Sequence, residues 1–535
     1  MPSFSQKMSW QDVASAMQKH RDDTIAAVFP SIPDVPIDLP DNVSNIPSQL
    51  LSESEISITE SSSEQLVSTM AAGHLSSIAV TNAFLRRAGL ASKLVNCVTE
   101  LLPERALARA KFLDDYLAEH GKPIGPLHGL PISVKEHVGM KDLTLNAGFV
   151  SWCDRVATAD SLILTLFWNA GAVFYVRTTQ PQTLMHLETS SGIYGVTVNP
   201  YNRKLTSGGS SGGEGALVGM RGSCMGVGTD IGGSIRAPAA NNGVFGLRPT
   251  SYRLPLGGVS ATMLGSEHVV PVIGPLSTTL EGVKLFMKTL IDQKPWLYEP
   301  TLVPFPWRET SVTSLLSKNS RGNKKLKIGI LRDDGVVKPH PPILRAIEKL
   351  VSSLSTSSNI EVVEFPPYKH DEAWRIISSL YFADGASEET EAIEASGEPW
   401  RPLSNFIIKE TGNVKKLTVP EVWKLTMERE IYRSEYAAHW INVGGGGLDD
   451  MIDVVLCPVG PGCAPPIDNA RYWPYTSQWN LLDYPALAFP TGLSCTPEID
   501  QADKGYSPRN EHDEFNHRLC KSHGLKSSDC ADHCV

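Results

Sequence analysis

From Ser207 the sequence reads Ser-Gly-Gly-Ser-Ser-Gly-Gly-Glu-Gly, and from Gly228 to Arg236 it reads Gly-Thr-Asp-Ile-Gly-Gly-Ser-Ile-Arg. A backbone this poor in side chains can pass very close to another chain segment or to a reacting carbonyl. It also leaves two hydroxyls, Ser210 and Ser234, as the obvious chemical actors. On its own, Ile231 to Ser234 reads better as a tight turn between a strand and a helix than as a reactive loop.

The rest of the chain must supply a scaffold for that segment. With 535 residues, 41% of them hydrophobic, it can build one large α/β enzyme or two or three average domains. The net charge of −10 is spread along the sequence, so no basic face is expected for nucleic acid or an anionic membrane. Met1 to Gln18 lacks the apolar core of a secretory signal, and no apolar run approaches membrane-spanning length. Nine cysteines, an odd number, suit reduced thiols better than a disulfide framework, and a cytoplasmic protein is expected.

Periodicity predicts three regions. Residues 1–55 form a helical arm, Ser9 to Phe29, and a proline-dotted connector. Residues 56–510 alternate helices and strands. The predicted helices are Glu64–Ala91, Pro103–His120, Ser161–Ala170 capped by Asp160, Thr279–Ile291, Pro341–Leu354, Asp371–Gly385 and Pro420–Trp440. The predicted strands are Leu130–Lys135, Ala172–Thr178, Leu326–Leu331, Ile360–Phe365 and a buried Met451–Cys457. This alternation indicates an α/β fold with a twisted β-sheet covered on both faces by helices. Residues 511–535 hold Cys520, Cys530, Cys534, His512, His517, His523 and His533 among polar residues, and little of the segment is expected in a packed core.

Amide hydrolysis needs a nucleophile, a proton acceptor and donors for the developing oxyanion. Consecutive N–H groups ahead of a helix near Gly233 can converge on one oxygen. Lys135 ends a predicted buried strand. To serve as a base at neutral pH its pKa must fall by about 3.4, equivalent to about 4.6 kcal/mol, which burial can provide. The plainer alternative, which Lys135 taken alone favours, is an ion pair with Glu136 or another carboxylate at the strand end.

Together these blocks resemble the amidase signature family. The matching residues are Pro131-Ile132-Ser133-Val134-Lys135, the Gly208 to Gly215 loop and Gly228 to Arg236, and the likeness runs from about Ile56 to Asn510. The resemblance implies a large mixed sheet, Ser234 as acyl-enzyme nucleophile, Ser210 as a proton shuttle after a cis peptide, and Lys135 as the base. It further implies an oxyanion hole from the N–H groups of Ile231, Gly232, Gly233 and Ser234. Thr229, Asp230 and Arg236 are expected to brace the loop, and Leu184 is either a substrate-pocket wall or a core residue. Gly125 to Pro131, Asn199-Pro200, His340-Pro341-Pro342, Ser396 to Pro399 and Asn480 to Asp483 look like the fungal acetamidase branch, which implies a short monocarboxylic amide as substrate. No metal and no organic cofactor are implied, and a homodimer is left open.

Other readings explain fewer residues. A GxSxG elbow centred on Ser210 or Ser211 leaves the second block without a purpose. A phosphate loop would end in Gly-Lys-Ser or Gly-Lys-Thr, where this one continues into Gly213-Glu214. The tail's Cys520, His523, Cys530 and His533 resemble a metal knuckle only faintly. Because Cys520 to Val535 departs from the family's terminal strand and helix, a catalytically impaired or truncated homologue stays open, as does an amidotransferase-like subunit.

Overall fold

The computed structural model describes residues 8–309, 325–448, 450–496, 498–503 and 505–522. Twelve strands are found among them: β1 (Val98–Leu101), β2 (Pro131–Lys135), β3 (Val173–Thr178), β4 (Ser190–Ser191), β5 (Gly195–Val196), β6 (Met225–Asp230), β7 (Phe245–Arg248), β8 (Val272–Ser277), β9 (Leu326–Ile330), β10 (Ile360–Glu364), β11 (Val454–Leu456) and β12 (Ala486–Ala488). Seven of them form a mixed sheet in the order β1-β3-β2-β6-β8-β7-β12. β10, β9 and β11 form a separate parallel sheet, and β4 pairs with β5. The sequence reading anticipated one sheet; this second one lies outside it.

Every residue of β2, β3, β6 and β8 is buried, so both faces of the central sheet are covered. That is the α/β arrangement expected of near-continuous apolar strands. The main core joins the sheet to the helices Ser77–Val95, Pro103–His120, Leu162–Asn169 and Leu280–Asp292 through Phe84, Leu85, Leu113, Phe167 and Phe286. The N-terminal helix Trp10–Ala26 buries Ala14, Met17 and Ile25, and its Gln18 donates to the Ile193 carbonyl at 2.6 Å.

Some elements differ from their sequence-based outlines. The helix expected over Glu64–Ala91 is two, Ser63–Ala71 and Ser77–Val95, because Gly73 turns at φ +73° and Ser76 caps a new start. Asp160 does not cap the helix beginning at Leu162; its carboxylate accepts from the Lys141 N–H at 2.8 Å. The strand expected over Met451–Cys457 shortens to β11, paired only with β9 and half-exposed at Val454. The start of the polar tail packs as well, contrary to expectation. Its helix Glu511–Ser522 buries Asp513, which accepts from the N–H groups of Lys338 at 3.0 Å and Arg509 at 2.9 Å. A buried carboxylate answered by backbone donors replaces the apolar stripe that hydropathy looks for. Cys530, Cys534, His523 and His533 lie outside the described residues.

Arg177 on β3 ties the sheet to its flanking loops. Fully buried, it donates to Glu100 at 2.8 Å, to the Thr144 carbonyl at 2.8 Å and to the Glu136 carbonyl. Arg177→Leu would leave Glu100 and Glu136 buried without their cation. The unfolding free energy from urea titration is expected to drop by about 3–5 kcal/mol.

Candidate active site

β2 and β6 run parallel, with Ser133 opposite Gly226 and Val134 opposite Val227. Their carboxyl ends therefore emerge together, Lys135 from one and Thr229-Asp230 from the other. Open α/β sheets commonly carry their ligand sites at such strand ends. The glycine-rich loop completes the site. Its Gly209 fits because a Cβ there would fall inside the Glu188 backbone, and the peptide between Gly209 and Ser210 is cis. Directly after it the chain enters the helix Gly212–Gly219, which glycine content hid from the sequence reading.

Lys135 is fully buried. Its Nζ donates to Ser210 Oγ at 2.7 Å and to Thr229 Oγ1 at 2.9 Å. It does not pair with Glu136, whose carboxylate takes the N–H groups of Asn146 at 2.7 Å and Ala147 at 3.1 Å and the side chain of Gln180. Burial drives the Lys135 amine down to about 7, against the opposing pull of Asp230 and Glu214. Glu214 is itself pushed up to about 7 by burial, although Ser133 and Thr178 donate to it at 2.5 and 2.7 Å.

Ser234 stands beside this pair. Its carbonyl accepts from the Ser211 N–H at 3.0 Å, which locks the two glycine-rich blocks together. Ser210 and Ser234 are both almost fully buried. No hydrogen bond joins their hydroxyls among the described contacts. The Ser211 hydroxyl is occupied, accepting from the Thr229 N–H and donating to the Thr229 carbonyl, both at 3.2 Å. It has no imidazole or carboxylate partner, so the elbow reading centred on Ser211 lacks its base.

The loop from Ile231 to Ser234 is held from behind. Asp230 forms a bidentate pair with Arg236 at 3.0 and 2.9 Å, and Asn480 donates to Asp230 at 2.9 Å. Burial raises the Asp230 carboxyl, but the Arg236 guanidinium outweighs it and holds the group far below the carboxylate range. Tyr381 donates to the Ile231 carbonyl at 2.8 Å and Thr476 to the Gly232 carbonyl at 2.6 Å. The N–H groups of Ile231, Gly232 and Ser234 have no hydrogen-bond partners among the described residues. Gly233 differs: its N–H donates to Asp230 at 2.9 Å, so only three of the four expected amides are unengaged.

Leu184 sits at φ +61° in an apolar cluster with Ala147, Phe149, Trp152, Ala392 and Ile393. Asp230 and Arg236 brace the loop, as their types and spacing suggested. Thr229 goes further, since it touches the lysine directly. Tyr381 and Thr476 gave no sequence signal; only folding brings them here. The polar blocks noted in the sequence act as latches: Asn480 on Arg236, Asp483 on Arg248 at 2.6 Å, and Glu398 on the Val150 N–H at 2.8 Å.

The amidase family model matches residues 79–508. The chain belongs to the amidase family. An acetamidase of Emericella nidulans is 41% identical over 509 residues, 94% of this chain and 89% of that protein. An acetamidase of Aspergillus oryzae is 39% identical over 525 residues, 96% of this chain and 92% of that protein. A solved structure of fatty acid amide hydrolase superposes with a TM-score of 0.89 at 34% identity, covering 99% of this chain and 93% of that one. The chain is accordingly an amide hydrolase of this family, with the mixed-sheet fold. Among the described residues no helix is long and apolar enough to cross a membrane.

The Tyr381 hydroxyl can be removed with little loss of volume. If the loop it steadies is the oxyanion hole expected from the sequence, amide hydrolysis by Tyr381→Phe falls about tenfold in kcat, about 1.4 kcal/mol, at nearly unchanged KM. Steady-state kinetics read this directly.

Proposed function

We propose that this amidase hydrolyses a short monocarboxylic amide to its carboxylate and ammonia through an acyl-enzyme on Ser234. Neutral Lys135 accepts the Ser210 proton while Ser210 accepts that of Ser234, and the Ser234 oxygen adds to the amide carbonyl. The N–H groups of Ile231, Gly232 and Ser234 stabilise the resulting oxyanion, each donor contributing about 3 kcal/mol. Proton return through Ser210 to the amide nitrogen breaks the C–N bond and frees ammonia. Water, deprotonated by the same relay, then adds to the ester, and the carboxylate leaves as Ser234 recovers its proton. No step calls for a metal or an organic cofactor.

The observation that carries this reading is the buried Lys135 amine, bound to Ser210 at 2.7 Å with no carboxylate partner among the described residues and a pKa lowered to about 7. An ammonium locked in an ion pair could not act as a base; this amine is held near its point of neutrality. The site is closely enclosed. Ser210, Ser234 and Leu184 are each less than a tenth exposed. A cavity of about 440 Å³ elsewhere is lined by Leu456, Val459, Leu487 and Phe489, and none of the three reacting side chains borders it. That geometry favours a small acyl group, as the names of the acetamidase relatives do. A cytoplasmic location fits the thiols of Cys97, Cys153, Cys224, Cys457 and Cys463, none of which is in a disulfide.

Ammonia release from acetamide, propionamide, benzamide and a long-chain fatty amide tests the substrate class, with the first two expected to be the best. Ser234→Ala and Lys135→Ala should be inactive and Ser210→Ala severely impaired. A fluorophosphonate adduct located by peptide mass spectrometry should sit on Ser234, and an adduct on Ser210 or Ser211 would reverse the assignment. Since the neutral amine is the active form, kcat/KM should rise with pH through about 7 and level off above it.

A further inference from the structure

His137 lies two residues beyond Lys135, buried, with each ring nitrogen against one oxygen. Nδ1 is 2.8 Å from the Ser260 carbonyl and Nε2 is 3.0 Å from Thr229 Oγ1. A carbonyl can only accept, so Nδ1 carries the proton. In a neutral imidazole Nε2 is then an acceptor. Thr229 must give its single hydroxyl proton to Nε2, and its oxygen can offer only lone pairs to Lys135 Nζ at 2.9 Å. The row of hydrogen bonds thus has one direction, from Lys135 through Thr229 and His137 to Ser260.

A cationic imidazole would reverse the two links nearest the lysine, donating through Nε2 to Thr229 and turning the threonine hydroxyl toward Lys135. Burial and the neighbouring charges of Lys135 and Arg177 keep His137 far below its ordinary range, while its own backbone N–H is taken by Gln180 at 3.2 Å. Among the described residues no carboxylate bonds to the ring to raise it again. The chain therefore holds one polarity across the neutral and alkaline range.

Direction matters because a neutral lysine has two N–H bonds and one lone pair. The lone pair has to face Ser210 to take its proton. A hydroxyl free to rotate at Thr229 would donate to that same lone pair and form an equally good but unproductive bond. Resting on the Ser-Ser-Lys reading above, we propose that His137 is a positioning residue which, by holding Thr229 as a permanent acceptor, aims the lone pair of Lys135 at Ser210.

The test compares His137→Leu, His137→Gln, Thr229→Val and the His137→Leu/Thr229→Val double variant in pH profiles of kcat/KM on acetamide, with thermal unfolding to confirm that each is folded. His137→Leu and Thr229→Val should each lose about 100-fold, mostly in kcat, the scale of a misaligned catalytic group. Because the histidine acts through the threonine, the double variant should be no more than about threefold worse than Thr229→Val. His137→Gln, whose Oε1 can take the Thr229 proton, should recover to within about fivefold of the parent. In His137→Leu the freed hydroxyl donates to the neutral amine, so the acidic limb should move to lower pH by about 0.5–1. Simple loosening of the site would admit water, favour the ammonium and move that limb upward. An upward or absent shift, a wild-type rate in either single variant, or losses that multiply in the double variant would overturn the proposal. Should His137→Leu not fold, Thr229→Val and His137→Gln decide alone, and a folded glutamine variant 100-fold down is fatal to it. Lys135→Ala, run alongside, separates the two levels: turnover there removes the lysine-base reading itself, whereas an inactive Lys135→Ala beside a fully active His137→Leu removes only the positioning role.

Discussion

The burial of one amine organises this molecule. Lys135 ends a strand with covered neighbours on both sides, and the protein gives it two hydroxyls in place of a carboxylate. In the proposed relay, desolvation is what would make an otherwise poor base usable, and it demands a dry sheet end. Glu136, the adjacent residue, shows what the alternative would have been. Its carboxylate is diverted to the amides of Asn146 and Ala147 and to Gln180, so that the nearest negative charge in sequence is spent on the backbone.

Rigidity on the opposite side of the site comes from ions. The Asp230–Arg236 pair is buried, bidentate and supplemented by Asn480 and the Thr476 carbonyl. Such a pair contributes little net stability, yet breaking it is costly, which suits a part whose purpose is to keep a loop still. Tyr381 and Thr476 hold two carbonyls of that loop, and the first of these contacts fixes the peptide that carries the Gly232 N–H. Preorganised donors of this kind need no rearrangement when charge develops.

Much of the fold was readable because its strands and helices are strongly patterned. Pro103–His120 and Pro341–Leu354 begin at prolines suited to a first helical turn, and both were located to the residue. The misses share a cause: the signal lay in polar or glycine contacts that hydropathy ignores. Gly212–Gly219 is helical despite its glycines because Thr179, Thr189 and Asn242 crowd against them, leaving no room for side chains. The helix at Glu511 docks by a buried aspartate. Gly233 lies among the expected oxyanion donors in sequence, but its N–H turns to Asp230, a choice made by local geometry at φ +132°.

The sequence by itself determined the chemical inventory: two serines in glycine-rich blocks, a lysine at a strand end, and the acid and base that would brace the loop between them. These are local, because residue type and spacing dictate them. The tertiary structure decided which groups meet. Strands β2 and β6 had to lie side by side in register before Lys135 could reach Thr229, 94 residues away, and the chain had to close on itself before Tyr381 and Thr476 could face the loop. Proton affinity followed the same division. A lysine is written in the sequence, but only the surrounding packing, by excluding water, sets the pH at which it is neutral.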